Sequence, residues 1–277
     1  MNDRSTQNQS VLPAGACDTH IHFYDARFPA SRTSILYPPD ASPSDYRDVQ
    51  VEIGLDRLVV VQPTTYGIDN SCQLDAMVQF GDRARGVMVV DHETTRDELE
   101  QLTELGVCGA RFHMLPGGAV PWEMLEPVAE RIAEVGWHIQ LQMNGRELDA
   151  YLDRLLELPV DLVVDHVGRF MPPGGVNHAG FQALLTLLNT GGSWVKLSAP
   201  YESSVAGPPD YDDVRVLIDE LVSRFPERLL WASNWPHPGQ ANPPTPRELS
   251  MLLNRWLPDG DVRQRVLVDN PAELYRF

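Results

Sequence analysis

Apolar residues along this chain fall into two alternating rhythms. Short β-branched or aliphatic runs occur near Ala16–His22, Arg57–Gln62, Arg85–Val90, Cys108–His113, His138–Met143, Leu162–His166, Trp194–Ser198 and Leu229–Asn234. Such runs, bounded by turn residues, read as buried strands. Between most of them lie helical patterns: Ser44–Ile53, Arg96–Leu105, Trp122–Val135, Glu147–Leu156, Phe181–Leu188 and Tyr211–Phe225, with Pro246–Leu257 and Asp261–Tyr275 closing the chain. Leu99, Leu102 and Leu105 recur at helical steps, and a Ser/Asp cap signal opens the first helix. Eight strands each followed by a helix predict an α/β fold, a single (β/α)8 TIM barrel over residues 13–277. A doubly wound open sheet is the alternative, but it carries a Gly-rich phosphate turn after its first strand. Here that strand runs into Asp18-Thr19-His20-Ile21-His22 instead.

Composition narrows the function. The 277 residues carry 22 basic and 39 acidic side chains, a formal charge of −17. Nucleic acid and anionic membrane surfaces are excluded as general partners, since both need basic surface. No stretch has the length of a membrane span. The polar start lacks the apolar segment of a secretory signal, so residues 1–12 are expected to be a disordered tail. Cys17, Cys72 and Cys108 are odd in number and widely spaced, which suits buried thiols in a reducing, cytoplasmic setting. Lys196 is the one lysine in the chain.

In a parallel barrel the chemistry sits at the C-terminal strand ends, so polar residues that close an apolar run carry the information. His20 and His22 lie two apart and so point to one side of an extended strand. Such a pair holds a metal or clamps a substrate oxygen. Arg111 closes strand four, where its planar fork suits a carboxylate; the plain alternative is an internal salt bridge. Asp165-His166 closes strand six, the histidine placed to protonate or orient a carbonyl and the aspartate to fix its tautomer or hold the loop. Strand five offers the amides Gln140 and Gln142. Strand eight ends Asn234-Trp235-Pro236-His237. His92, His138 and His178 read as structural, and Trp235 as a residue lining a pocket.

The Asp18–His22 opening, Asp165-His166 and Asn234–His237 resemble the amidohydrolase superfamily. Gln62-Pro63 with Tyr66–Asn70, Arg111 with Leu115–Val120, and Tyr201–Ser204 are similar to its lactone-acting branch, the pyrone-dicarboxylate lactonases and galactarolactone isomerases. The resemblance implies acyl transfer at a small carboxylate-bearing lactone. His20, His22 and His166 would contact the developing oxyanion, Asn234 would orient the nucleophile or carbonyl, and Arg111 would pair with the carboxylate. Gln62, Tyr66, Asn70, Gln142, Tyr201 and His237 would line the substrate.

Departures from the superfamily pattern matter as much. The carboxylated lysine that bridges two metals in many members has no counterpart here, because strand four carries Arg111 and the only lysine is on strand seven. Gln140 and Gln142 stand where strand five supplies a histidine. The strand-eight aspartate that activates water appears as Asn234, an amide with no basic lone pair at neutral pH. The expected reaction is therefore metal-independent lactone hydrolysis without a cofactor, with ring-migrating lactone isomerisation beside it. A single Zn²⁺, if bound, would sit on His20, His22 and His166. A decarboxylase of the same fold and a non-catalytic binder are further alternatives. The sequence leaves the oligomeric state open.

Overall fold

The computed structural model describes residues 12–277. Of the segment expected as a tail, only Leu12 lies within that range, and its side chain is buried. Eight parallel strands pair in chain order: β1 (Cys17–Ile21), β2 (Arg57–Val61), β3 (Ala84–Met88), β4 (Val107–His113), β5 (His138–Gln142), β6 (Leu162–Val164), β7 (Ser193–Leu197) and β8 (Leu229–Trp231). The last strand reaches the first through a parallel bridge between Ile21 and Trp235 and through hydrogen bonds from Asn234 N to His20 O (3.0 Å) and His22 N to Trp235 O (2.9 Å). The result is a (β/α)8 barrel, as the alternation predicts.

Helices α1 (Pro43–Ile53), α2 (Ser71–Val78), α3 (Arg96–Glu104), α4 (Leu125–Ala133), α5 (Leu148–Leu156), α6 (Ala179–Asn189), α7 (Asp212–Arg224) and α8 (Pro246–Trp256) follow the successive strands. Capping boxes start α1, α3 and α8, with Ser42, Thr95 and Thr245 each paired to an acid three residues on. The chain then ends in α9 (Gly260–Gln264), one π-helical turn and α10 (Asn270–Tyr275). The sequence pattern had no element at α2. That helix has only eight residues, too short to display a helical repeat, although Asn70 stands at its N-cap. No helix among the described residues is long and apolar enough to cross a membrane.

Strand alternation sorts side chains between two cores. Leu58, Val60, Ala110, Phe112, Ile139, Leu141, Val195 and Leu197 face outward and join one apolar cluster with the surrounding helices. Val59, Val61, Val87, Val163, Trp194 and Leu230 fill the barrel interior, closed below by Leu274 and Tyr275 of α10. Above that plug the inward positions turn polar: Arg111, Gln140, Gln142, Asp165 and Lys196 are all buried. The three cysteines are buried free thiols, as expected.

Where the loops after β5 and β6 cross, the backbone is packed too closely for side chains. A Cβ on Gly145 would collide with the Gly168 carbonyl and the Phe170 ring, and one on Gly180 would collide with the Gly145 carbonyl. Gly145→Ala is accordingly expected to lower unfolding free energy by about 1–3 kcal/mol, the usual cost of forced overpacking. Thermal melting checks this.

Candidate active site

At the C-terminal end of the barrel a cavity of about 280 Å³ is lined by His22, Tyr24, Arg111, His113, Gln142, His166, Arg169, Glu202 and Asn234, with Pro63, Leu115 and Pro116 among its apolar walls. It is near the small end of ligand pockets, which run from roughly 300 Å³ upward.

Its floor is a hydrogen-bonded polar layer. His20 Nδ1 lies 3.2 Å from Asp165 Oδ1, and Gln140 Nε2 donates to Asp165 Oδ2 at 3.1 Å. Lys196 Nζ donates to Gln140 Oε1 (2.6 Å) and Thr19 O (2.8 Å) and lies 3.6 Å from Asp165 Oδ1. Burial penalises the Asp165 carboxylate, but the hydrogen bond from His20 and the Lys196 ammonium 3.6 Å away outweigh that penalty and hold its carboxyl well below the usual range. Burial also lowers the Lys196 ammonium to about 8, against the pull of Asp165. Asp165 thus fixes His20. It does not fix His166, contrary to the sequence reading; His166 Nδ1 is paired with Ser198 Oγ at 2.8 Å. Burial pushes His20, His22 and His166 below their ordinary values, so all three are neutral imidazoles at pH 7.

Partner chemistry assigns the ring protons of the His-x-His pair. The Val61 carbonyl can only accept, so His22 Nδ1, 2.7 Å away, is the donor. His20 Nδ1 lies 3.2 Å from the Asp165 carboxylate and 3.3 and 3.4 Å from the donors Gln140 Nε2 and Lys196 Nζ. Since those two make shorter bonds elsewhere, Nδ1 donates to the nearer carboxylate. Both Nε2 atoms, 3.2 Å apart, then present lone pairs to each other. That arrangement fits one shared cation, a proton or a metal ion. Among the described residues one trio of metal-capable side chains, His20, Asp165 and His166, brings ligand atoms within 4.8 Å of one another. That trio has Asp165 where the set expected from the sequence has His22, so the geometry offers a His/Asp site in place of three imidazoles. Asp18 takes no part: it accepts from Ser233 N (2.9 Å) and Tyr46 OH (3.0 Å), tying β8 to β1.

Arg111 is the distinctive group. Its two terminal nitrogens donate to Gln62 O (2.5 Å) and Gln142 Oε1 (2.7 Å), while the buried Nε has no partner. Among the described residues it forms no ion pair, which disposes of the internal salt bridge. Gln142 turns its other end, Nε2, to Glu202 Oε2 (3.1 Å), and Arg169 Nε donates to that same oxygen at 3.1 Å. Tyr24 OH and Asn234 Oδ1, both of residues lining the cavity, are also buried without partners. Asn234 Nδ2 donates to Tyr201 OH (2.9 Å), which in turn pairs with His237 Nδ1 (2.9 Å). Asn234 and His166 adopt positive φ, 62° and 53°, the kind of backbone strain that collects at working sites.

Of the residues singled out from sequence, His22, Arg111, Gln142, His166 and Asn234 line the cavity; His20 backs His22, and Tyr201 and His237 back Asn234. Three stand apart from it. Gln62 Nε2 holds the loop carbonyls of Gly67 (3.0 Å) and Asp69 (2.8 Å). The Tyr66 hydroxyl accepts from Asp25 N (3.0 Å), and the Asn70 amide clasps Val89 N (3.0 Å) and O (2.8 Å). These are loop fasteners. Trp235 is not among the residues lining this cavity; it packs on Tyr46 with centroids 5.2 Å apart. Sequence reasoning did not single out Tyr24, His113, Arg169 or Glu202 as site residues. All four come from loops or strand ends with no periodic signal, although His113 closes the same strand as Arg111.

Comparison with known proteins gives concordant results. The amidohydrolase family model matches residues 17–277. A D-galactarolactone isomerase from Agrobacterium fabrum is 35% identical, the match covering 98% of this chain and 94% of the relative. A 4-sulfomuconolactone hydrolase from Rhizobium radiobacter is 34% identical, covering 98% and 93%. An apo crystal structure of an Agrobacterium tumefaciens protein superposes with a TM-score of 0.91 at 35% identity, over 97% of this chain and 98% of that one.

Proposed function

The chain belongs to the amidohydrolase family, and on that premise we propose that it catalyses acyl transfer at a small, carboxylate-bearing lactone. The observation that carries this reading is the buried Arg111, a guanidinium without a counter-charge whose free Nε belongs to a residue lining the cavity. An isolated buried cation is costly, and an anionic ligand removes that cost. The two relatives named above act on lactones by their names, which supports the class.

Arg111 anchors the substrate anion. His166, neutral and held at Nδ1 by Ser198, offers Nε2–H to the lactone carbonyl and the charge that develops on its oxygen. His22, whose proton is spent on Val61 O, reaches that oxygen only through the proton or ion it shares with His20. His20, fixed by Asp165, orients His22 from behind. Tyr24 and Asn234 supply the remaining hydrogen bonds, Asn234 held at its Nδ2 so that Oδ1 stays open to a hydroxyl or water. Were a metal ion bound, His20 and His166 would hold it together with Asp165 or His22, and it would polarise the carbonyl. The positive charges already at the site, on Arg111 and Lys196, support the metal-independent form. The buried free thiols suit a reducing compartment such as the cytoplasm.

Hydrolysis is the leading reaction. Isomerisation is the second reading, favoured by Asn234: an amide orients a hydroxyl but does not deprotonate water. Incubation of sugar-acid and dicarboxylate lactones in H₂¹⁸O, with and without prior chelator treatment, separates the outcomes. Hydrolysis leaves one ¹⁸O in the new carboxylate, and isomerisation gives a changed ring with no label. Activity is expected to survive chelation. Activity that tracks bound zinc overturns the metal-free form, and a wholly inert panel overturns the lactone reading.

A further inference from the structure

Asn234 leaves the proposed reaction without an obvious proton acceptor, yet one carboxylate lines the cavity. Glu202 follows β7 on a single helical turn, Pro200–Glu202. Its two oxygens differ in what they do. Oε2 is clamped between Arg169 Nε and Gln142 Nε2, both at 3.1 Å. Oε1 accepts no hydrogen bond from the described residues and lies 3.8 Å from His166 Nε2, too far for a hydrogen bond between them. Gln142 cannot flip, because its Oε1 accepts from Arg111 and its Nε2 donates to Glu202. One amide therefore sets the spacing between the cation that anchors the substrate and the carboxylate. A carboxylate kept only for an ion pair with Arg169 would have no need of this second tether, nor of an open oxygen beside the histidine that meets the carbonyl.

Resting on the lactone reading, we propose that Glu202 is the general base, and then the general acid, of acyl transfer. The oxygen of the attacking hydroxyl, from water or from the substrate itself, bonds to the lactone carbonyl carbon as its proton passes to Glu202 Oε1. The tetrahedral intermediate collapses with cleavage of the ring C–O bond, and the same proton passes from Glu202 to the departing alkoxide. Nothing is oxidised or reduced. In an isomerisation the proton count closes within the substrate, so one carboxylate serves both directions.

Glu202→Gln tests this without disturbing the clamp. The donors from Arg169 and Gln142 require the new amide oxygen, so its NH₂ takes the place of the open Oε1. Expected are a kcat lower by roughly 10²–10⁴-fold, the usual contribution of a positioned acid–base group, a KM within about threefold and an unchanged melting temperature. Formate is expected to restore part of the turnover of Glu202→Ala, which a merely structural glutamate would not allow. An active wild type with Glu202→Gln retaining more than a tenth of kcat, or losing only KM, overturns the base assignment alone. A wild type inert toward every lactone instead removes the reading on which the assignment rests.

Discussion

Arg111→Met is expected to raise the KM for an anionic lactone by roughly 30- to 3,000-fold, the equivalent of about 2–5 kcal/mol for truncating one side of a buried, hydrogen-bonded charge pair. The fold should be almost indifferent. The wild-type guanidinium is buried with no carboxylate against it and with an unpartnered Nε. Removing it relieves a desolvation penalty while leaving Gln142 Oε1 with His113 Nδ1 as its remaining partner at 3.1 Å. The two effects offset, and the unfolding free energy is expected to shift by less than about 1 kcal/mol. Arg111→Lys should bind nearly as poorly. An ammonium has three donors, but its compact tetrahedral head lacks the planar fork with which Arg111 spans Gln62 O and Gln142 Oε1, so the anion loses the geometry that orients it. Calorimetric titration with a substrate or product anion, beside a thermal melt of each variant, checks the pair of expectations. A large stability loss with unchanged affinity would mean that Arg111 is a structural brace.

The barrel was legible because its pattern is redundant. All eight strands stand where β-rich runs end at turn residues, since inward and outward positions of most strands are both buried and the runs are nearly continuous. Boundaries were read long at the C-terminal ends: His166 and Asn234 lie beyond β6 and β8. There the chain leaves extended geometry for positive φ, which periodicity does not report. The short helix α2 was illegible because eight residues are too few to show a helical period.

For the site, the readable part was what strands supply. His22, Arg111 and Gln142 follow from strand alternation, and His166 and Asn234 from polar closure of an apolar run. Glu202 and Arg169 meet only because loops after β7 and β6 fold over one another, a contact of sequence separation 33 that no local pattern encodes. The same limit misassigned Asp165. As the neighbour of His166 in sequence it reads as that ring's partner, whereas its side chain points into the barrel to His20 and Lys196. Gln62, Tyr66 and Asn70, read from the sequence as ligand groups, bond backbone groups of the mouth loops, and Gln62 also keeps its Oε1 buried without a partner among the described residues.

Asp165→Asn is expected to be the most destabilising single change at the site, by about 3–5 kcal/mol, because it leaves the Lys196 ammonium buried without its counter-charge. In a chain of this size that corresponds to a fall in melting temperature on the order of 10 °C. Adding Lys196→Met should recover most of the loss, since the double variant buries no charge at that spot. Lys196→Met alone should cost less than Asp165→Asn, because the carboxylate keeps His20 and Gln140 as donors. The pH dependence follows from the signs of the shifts. A depressed carboxyl such as Asp165 stabilises the fold above its unfolded value, near 3.9, and that contribution is lost as pH falls through the folded value. Lys196 is lowered to about 8, so the folded chain binds fewer protons than the unfolded chain from there up to the ordinary lysine value, and this group's contribution to stability rises with pH across that window. Without Asp165 the lysine sheds its proton earlier still, so the deficit of Asp165→Asn should shrink as pH is raised toward 8. Urea unfolding of the wild type, both single variants and the double variant at several pH values reads the coupling directly. Additive losses, with no rescue in the double variant, would show that Asp165 stabilises the barrel through His20 and Gln140 and owes nothing to the lysine.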